Sequence, residues 1–258
     1  MTSLTYVYGI VVSPHPPSLA RVPPGLPGAS AVRLIEIERG RFLAVADVKP
    51  GDYGEAVINR RLADLEWVSR AAVAHESVLE VLAAKATVLP MKLFTIFTSD
   101  ERALADVRRD RRRIAALVKR VGGHDEFGIR VVLDRQTALA PPRTKRDSPT
   151  RPAETGIAYL TRKKTQRDSA VELSAHARAT VADLYDRLAR RARRARRRSA
   201  SELPIEGGPL LLDAAFLVPR AKAATFRREV AREARALAKL GYGLKLTGPW
   251  PPYTFVQD

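Results

Sequence analysis

The chain contains no cysteine, which removes disulfides, thiolate metal sites and thiol nucleophiles together. It also lacks any apolar run of the roughly 18–20 residues that a membrane-spanning helix needs. The N-terminal stretch Met1–Ile10 has neither the basic region nor the small-residue cleavage site of a secretory signal. The expectation is a cytoplasmic protein without a membrane partner. Histidine is scarce: His15, His75, His124 and His176 are scattered, and no two stand at the i, i+3 or i+4 spacing that builds a metal site on a helix. No phosphate loop is present, because Gly207-Gly208-Pro209 is not followed by Lys and Ser or Thr. A G-x-S-x-G elbow is missing too. No constellation calls for an enzyme, and no metal or cofactor is expected. Acidic residues are also short, 28 against 45 basic ones, for a formal charge of +17. Such an excess attracts acidic partners, whether nucleic acid, an anionic surface or an acidic protein. Most of it is arginine, a bias that a GC-rich genome produces as readily as selection does.

What is present is the balance of a globular protein: 258 residues, 45% hydrophobic and 28% charged, enough chain for one large core or two ordinary ones. Leu4–Val12 is rich in β-branched and aromatic residues and reads as a strand ending at Ser13-Pro-His-Pro-Pro. Val32–Ile37 and Phe42–Val48 flank a turn holding Gly40, a hairpin pattern. Helical spacing follows, first through Val57, Leu62, Leu65 and Val68, then through Val73, Val78, Leu79 and Leu82. Thr87–Phe97 is strand-like, with Pro90 forcing either an edge position or a bend. Thr98-Ser-Asp-Glu101 has the spacing of a capping box and opens a helix with Leu104, Val107, Ile114, Val118 and Val121 on one stripe. Phe127–Leu133 is a further strand.

A Pro-, Arg- and Thr-rich stretch then separates two halves. The predicted organisation is an N-terminal α+β domain at 1–135, a linker or loop at 136–155 and a C-terminal α+β domain at 156–258. In the second half, Ala177, Val181, Leu184, Tyr185, Leu188, Ala192 and Ala195 mark a long helix. Leu210–Val218 is a strand, and a helix from about 220 to 240 ends at Gly241. Gly243–Thr247 is a last strand before Gly-Pro-Trp-Pro-Pro-Tyr, which cannot continue a ladder. That stiff tail should pack back onto the fold. Trp250 and Tyr253 are its expected anchors, with Trp250 holding the C-terminal domain.

Few residues invite a chemical role. The run from Arg187 to Arg198 carries eight arginines and no acid. As a continuous helix it would be a cationic rod, with Arg190, Arg191, Arg193, Arg194, Arg196 and Arg197 as an electrostatic footprint for phosphate or an acidic surface. It reads equally as a solvated helix end favoured by the dipole, and the aromatics that would stack on bases are missing from it. Asp134 and Asp213, in or beside apolar strands, are either satisfied locally or lie at an edge.

Several motifs in order resemble the gas vesicle GvpF/GvpL family: Tyr6-Val-Tyr-Gly-Ile-Val11, Val88–Phe97, Phe127–Val131, Gly156–Lys163, Leu212–Val218 and, most specific, Leu246–Val256. Members of that family commonly carry a small residue, often Gly, near Phe94. The resemblance implies two α+β domains, the N-terminal one related to ferredoxin-like folds. It also implies a non-enzymatic accessory protein of gas vesicle assembly, with the hydrophobic shell protein and other accessory proteins as partners. Leu89, Leu93, Phe94 and Phe97, on the Pro90-interrupted strand, are the candidate partner-binding residues; an ordinary internal strand is the plainer alternative. The other functional reading is a nucleic-acid-binding α+β protein using the Arg-rich helix.

Overall fold

The computed structural model describes residues 3–133, 175–198 and 209–257. The predicted linker at 136–155, the Gly156–Lys163 motif, Asp134 and the turn at 207–208 lie outside the described residues. The α+β class is borne out: helices accompany two sheets. The chain divides into two compact units, Met1–Glu126 together with Gly248–Asp258, and Phe127–Thr247.

The first unit begins with β1 (Leu4–Val12), β2 (Arg33–Glu38) and β3 (Arg41–Val48). Gly40 turns the β2–β3 hairpin at a φ of 78°, a left-handed position that glycine adopts without strain. Short helices α1 (Pro50–Tyr53) and α2 (Glu55–Arg61) lead to α3 (Leu65–Ala83), whose first turn is capped by Asp64 accepting from Trp67 N–H. Then come β4 (Thr87–Pro90), β5 (Ile96–Phe97), α4 (Asp100–Arg109) and α5 (Arg111–Val121). The strands are antiparallel in the order β2-β3-β1-β4, with β5 also on β1. Alternation along β1 sends Tyr6 and Tyr8 to a core with Ala71, Val78, Leu79 and Leu82 of α3. On the opposite face Thr5 donates to Asp100 of α4, and a bulge between Val7 and Gly9 resets the alternation so that Ile10 lies there too, beside Ile114 and Leu117 of α5.

Two local expectations change here. The cap of α4 is Ser99, accepting from Arg102 N–H, so the capping box beginning at Thr98 is displaced by one residue. The stripe of α3 is also rotated from the predicted one. Trp67, Ala71 and His75 are buried with Val78, Leu79 and Leu82, whereas Leu65 and Val73 stay exposed, Leu65 by 80%, as does Leu62 at the end of α2.

The second unit contains most of β6 (His124–Leu133), then α6 (described over 175–189), β7 (Arg194–Arg197), β8 (Leu210–Pro219), a 3-10 turn (Arg220–Lys222) and α7 (Ala223–Ala238). β9 (Tyr242–Trp250) leads out of it, continuing as extended strand through the Gly-Pro where a break was expected, and α8 (Tyr253–Val256) ends the tail. The strand order is β7-β8-β6-β9. Phe127, Ile129, Val131 and Phe216 pack with Val181, Leu184 and Leu188 of α6 and Phe226, Val230 and Leu237 of α7.

Counting strands within each unit, both sheets have the order second-third-first-fourth, that of a ferredoxin-like β-α-β-β-α-β unit. The second unit has a helix in each crossover. In the first, the Pro-rich segment between β1 and β2 takes the place of the first helix.

A candidate partner-binding edge and its surroundings

Gly9 decides how the end of the first sheet is built. β1 pairs with β4 from Gly9↔Pro90 to Val12↔Thr87, and a Cβ on Gly9 would come within 2.7 Å of the Leu89 carbonyl oxygen. The missing side chain lets the two backbones close up. Pro90, which cannot donate to a ladder, ends β4 at the edge of the sheet. The chain then bends: Met91 N–H donates to Tyr8 O and Thr95 N–H to Lys92 O, before β5 rejoins β1 opposite Thr5 and Tyr6. Pro90 therefore marks both an edge and a bend. Among the described residues, β1 is the only strand paired with β4 or β5.

The four candidate residues divide along this edge. Leu89 is buried and lines a groove of about 220 Å³ with Ile10, Ile114, Leu117 and Val256. Leu93 and Phe94 are half-buried against the β1–α3 core, and Phe97 is half-buried on β5. Phe94 has a φ of 63°, the left-handed region that a bulky side chain rarely enters. Its ring stacks on Trp67 at 4.9 Å and 8°. The small residue implied by family resemblance near this position fits that backbone; this chain holds the geometry with an aromatic stack instead.

Beneath the bend lies a polar network. The Tyr6 hydroxyl and His75 Nδ1 share a hydrogen bond at 2.6 Å, its donor set by the imidazole tautomer, and the Tyr8 hydroxyl accepts from Leu26 N–H at 3.0 Å. Burial pushes the Tyr6 phenol upward and the Tyr8 phenol up to about 12. The same burial drives His75 down to about 4, so its ring is neutral near pH 7. Glu76 is raised, chiefly by burial, with the hydrogen bond from Tyr253 opposing.

That hydrogen bond comes from the tail, which belongs to the first unit rather than the C-terminal one. Tyr253 donates to Glu76, and Thr254 gives both its N–H and its hydroxyl to the buried Glu126, at 2.8 and 2.6 Å. Arg120 reaches the Phe255 carbonyl, and α8 packs on β4 and α5. Pro251, Pro252 and Phe255 are buried, Phe255 to 3% exposure, whereas Trp250 is only half-buried. Trp250 was expected to hold the C-terminal domain; the tail belongs instead to the first unit, where its bonding partners Glu76, Arg120 and Glu126 all lie.

The arginine run is also rearranged. α6 ends at 189, Arg190, Arg191 and Arg193 occupy the turn, and Arg194–Arg197 form β7. Continuing the helix would stack arginines at i, i+3 and i+4, which repel, whereas Arg193 and Arg198 N–H groups find carbonyls on β8. No continuous cationic rod forms. Arg191 pairs with Glu229 at 3.2 Å and Arg197 lies over the Tyr185 ring. Asp213, 6% exposed, is satisfied by Arg130 at 3.1 Å and Arg198 at 2.6 Å.

Sequence reasoning missed the exposed apolar side chains Leu62, Leu65 and Val73, because it assigned them to the buried stripe. Trp67 was the available signal: a large aromatic flanked by Leu65 and Val68 fixes a different phase. Among the described residues no cluster of three or more His, Asp or Glu could hold a metal ion, and no helix is long and apolar enough to cross a membrane.

The fold is thus that of a mixed α+β protein with two sheets. The chain belongs to the gas vesicle synthesis protein GvpL/GvpF family, whose model matches residues 4–257. It is 28% identical over 257 residues to gas vesicle protein L of a Streptomyces species, covering 98% of this chain and 92% of that one. Its fold is similar to the crystal structure of gas vesicle protein GvpF from Anabaena sp., with a TM-score of 0.70 at 19% identity over 99% of this chain and 97% of that chain. GvpF from Microcystis aeruginosa matches with a TM-score of 0.67 at 18% identity over 100% of both chains. Its role is therefore a gas-vesicle-related one.

Proposed function

We propose that this protein is a non-catalytic, cytoplasmic accessory factor of gas vesicle assembly that binds the hydrophobic shell protein and other accessory proteins. One observation carries the reading. The first sheet ends in a broken strand, β4 and β5, and Leu93, Phe94 and Phe97 sit half-buried along it. A shell subunit awaiting incorporation has to be kept from pairing its strands indiscriminately. A sheet edge bearing aromatic and aliphatic side chains can hold such a strand by backbone pairing, with side-chain contacts supplying the choice of partner. Leu62, Leu65 and Val73 add exposed apolar surface on the same unit. The nucleic-acid reading loses its geometric basis, since the helix that was to present the arginines ends at 189.

The test is Phe97→Ser, assayed by pull-down of the shell protein alongside a thermal melt. Phe97 is chosen because Phe94→Ser would also remove the stack on Trp67. The expected result is a folded protein with at least tenfold weaker capture. A folded variant with undiminished capture overturns the assignment of this edge.

A further inference from the structure

The arginine run, having lost its role as a helix, acquires one as a strand. Among the described residues β7 ends the second sheet and pairs on its inner side with β8, Arg194 opposite Leu217, Ala195 opposite Phe216, Arg196 opposite Ala215 and Arg197 opposite Ala214. Arg198 N–H donates to Asp213 O. Alternation in an antiparallel ladder then directs the N–H and C=O groups of Ala195 and Arg197 to the outer side. Side chains alternate as well: Arg194, Arg196 and Arg198 share one face of the sheet, and Ala195 packs toward the α6–α7 core. Arg194 and Arg196 are exposed. The result is a sheet edge with outward backbone donors and two exposed guanidinium groups two residues apart.

We propose that the outer edge of β7 is a docking site for an acidic extended polypeptide segment, which adds to the second sheet as a fifth strand. Charge complementarity selects this occupant. Arginines on an edge strand repel a second copy of the same edge and disfavour indiscriminate pairing. An incoming strand with carboxylates at alternate positions reverses the sign of that effect, because residues i and i+2 on one face match the spacing of Arg194 and Arg196. Guanidinium groups can also grip carboxylates bidentately. The same sheet face fits a nucleic acid poorly. Beside the arginines it carries Gly128 and Arg130 on β6, Asp213, Ala215 and Leu217 on β8 and Lys245 on β9, and among the described residues these strands place no aromatic ring there on which a base could stack. This site is separate from the β4–β5 edge and does not depend on the function proposed for it.

The experiment measures fluorescence anisotropy with the full chain and a labelled peptide of alternating glutamate and threonine. Controls are the same composition in two blocks, an alternating lysine–threonine peptide and a single-stranded oligothymidylate. Wild type should bind the alternating acidic peptide at least tenfold more tightly than the block peptide, with affinity falling as salt rises. Arg194→Gln with Arg196→Gln should reduce that affinity at least tenfold. Ala195→Pro is the sharper variant: it removes an outward N–H while leaving every charge in place, and an edge strand tolerates proline where the N–H faces solvent. It should abolish the preference for the alternating peptide. Hydrogen exchange of the β8 amides in each variant reports whether the sheet remains formed. If both variants disturb the sheet, the wild-type discrimination between alternating and block peptides decides alone. Equal binding of those two peptides, unchanged binding by a folded Ala195→Pro variant, or tighter binding of the oligothymidylate would overturn the proposal.

Discussion

Two units with one strand order have solved their interiors in opposite ways. The first buries tyrosines, Trp67 and His75 around Tyr6 and Tyr8, with the Tyr6 hydroxyl bonded to His75 Nδ1 and the Tyr8 hydroxyl to Leu26 N–H. The second buries a core of aliphatic residues, phenylalanine and one tyrosine, and its buried acid, Asp213, lies outside that core in ion pairs with two arginines. The crossovers differ as well, a Pro-rich segment against α6. A helix in the crossover contributes its own apolar stripe, here Val181, Leu184 and Leu188. A segment without one contributes fewer such side chains, Leu26 being the one buried in the first core, and the first unit gains Tyr253 and Phe255 from the far end of the chain. The same topology can thus be completed by an internal helix or by a remote tail.

Breaking that remote contribution gives the largest expected effect. Phe255→Ala should cost about 3–5 kcal/mol, the usual range for deleting a buried phenylalanine. Urea melts with hydrogen exchange should place the lost protection in β1, α3 and β4 and spare α6–α7. Leu184→Ala, also costing about 2–5 kcal/mol, should give the reverse pattern. If Phe255→Ala strips the α6–α7 amides first, the tail belongs energetically to the second unit and the comparison fails.

Acid should also separate the units. Folded His75 takes up its proton only near pH 4, whereas an unfolded chain does so near 6.5. Between those values the unfolded state binds more protons, so the first unit loses stability as pH falls from 6.5 to 4, by about 3 kcal/mol in all. Glu76 acts oppositely. Its folded pKa is raised, so the folded state keeps that proton longer, and the resulting stability is lost as pH rises through its folded pKa. Glu76→Gln should therefore steepen the acid-induced loss, and His75→Gln should flatten it. Chemical melts at half-unit pH steps read both slopes. Identical slopes in wild type and His75→Gln would show that the ring is not held neutral by burial.

Where local pattern decided the outcome, the sequence was legible. β1, the β2–β3 hairpin, β8 and the α7 stripe follow from alternation, Gly40 and helical spacing. The family label came from short motifs spread over the chain. What was not legible depended on distant partners. Ala192 and Ala195 extend the spacing of α6, so the run to Arg198 reads as helix until β8 offers its carbonyls to Arg193 and Arg198. The tail's stiffness was plain from its prolines, but not its destination, because Glu76, Arg120 and Glu126 carry no mark naming Tyr253, Thr254 and Phe255 as partners. The candidate edge was half legible: Pro90 announced it, while the left-handed Phe94 did not.

The buried acid of the second unit gives a smaller effect. Asp213→Ala should cost about 2 kcal/mol, below the 3–5 typical of breaking a fully buried pair. The reason is that Arg130 and Arg198 remain 48% and 35% exposed and can return to water. A loss above about 4 kcal/mol in thermal melts would mean that this unit depends on polar bonding as much as the first does.

The smallest effect tests strain, which also distinguishes the units, since Phe94 is the only non-glycine residue with positive φ among the described residues. A side chain in the left-handed region costs about 1 kcal/mol relative to glycine. Replacing Phe94 by either Gly or Ala removes the stack on Trp67, worth about 0.5–1.5 kcal/mol beyond burial. Only the glycine variant also relieves the backbone. Phe94→Gly should therefore be more stable than Phe94→Ala by about 1 kcal/mol, the reverse of the order at an ordinary helix site, where alanine is favoured. Urea melts of the two variants measure the difference directly. Equal stabilities would mean that the bend at 91–95 relaxes once the ring is gone, and that the stack on Trp67 holds the edge in this shape.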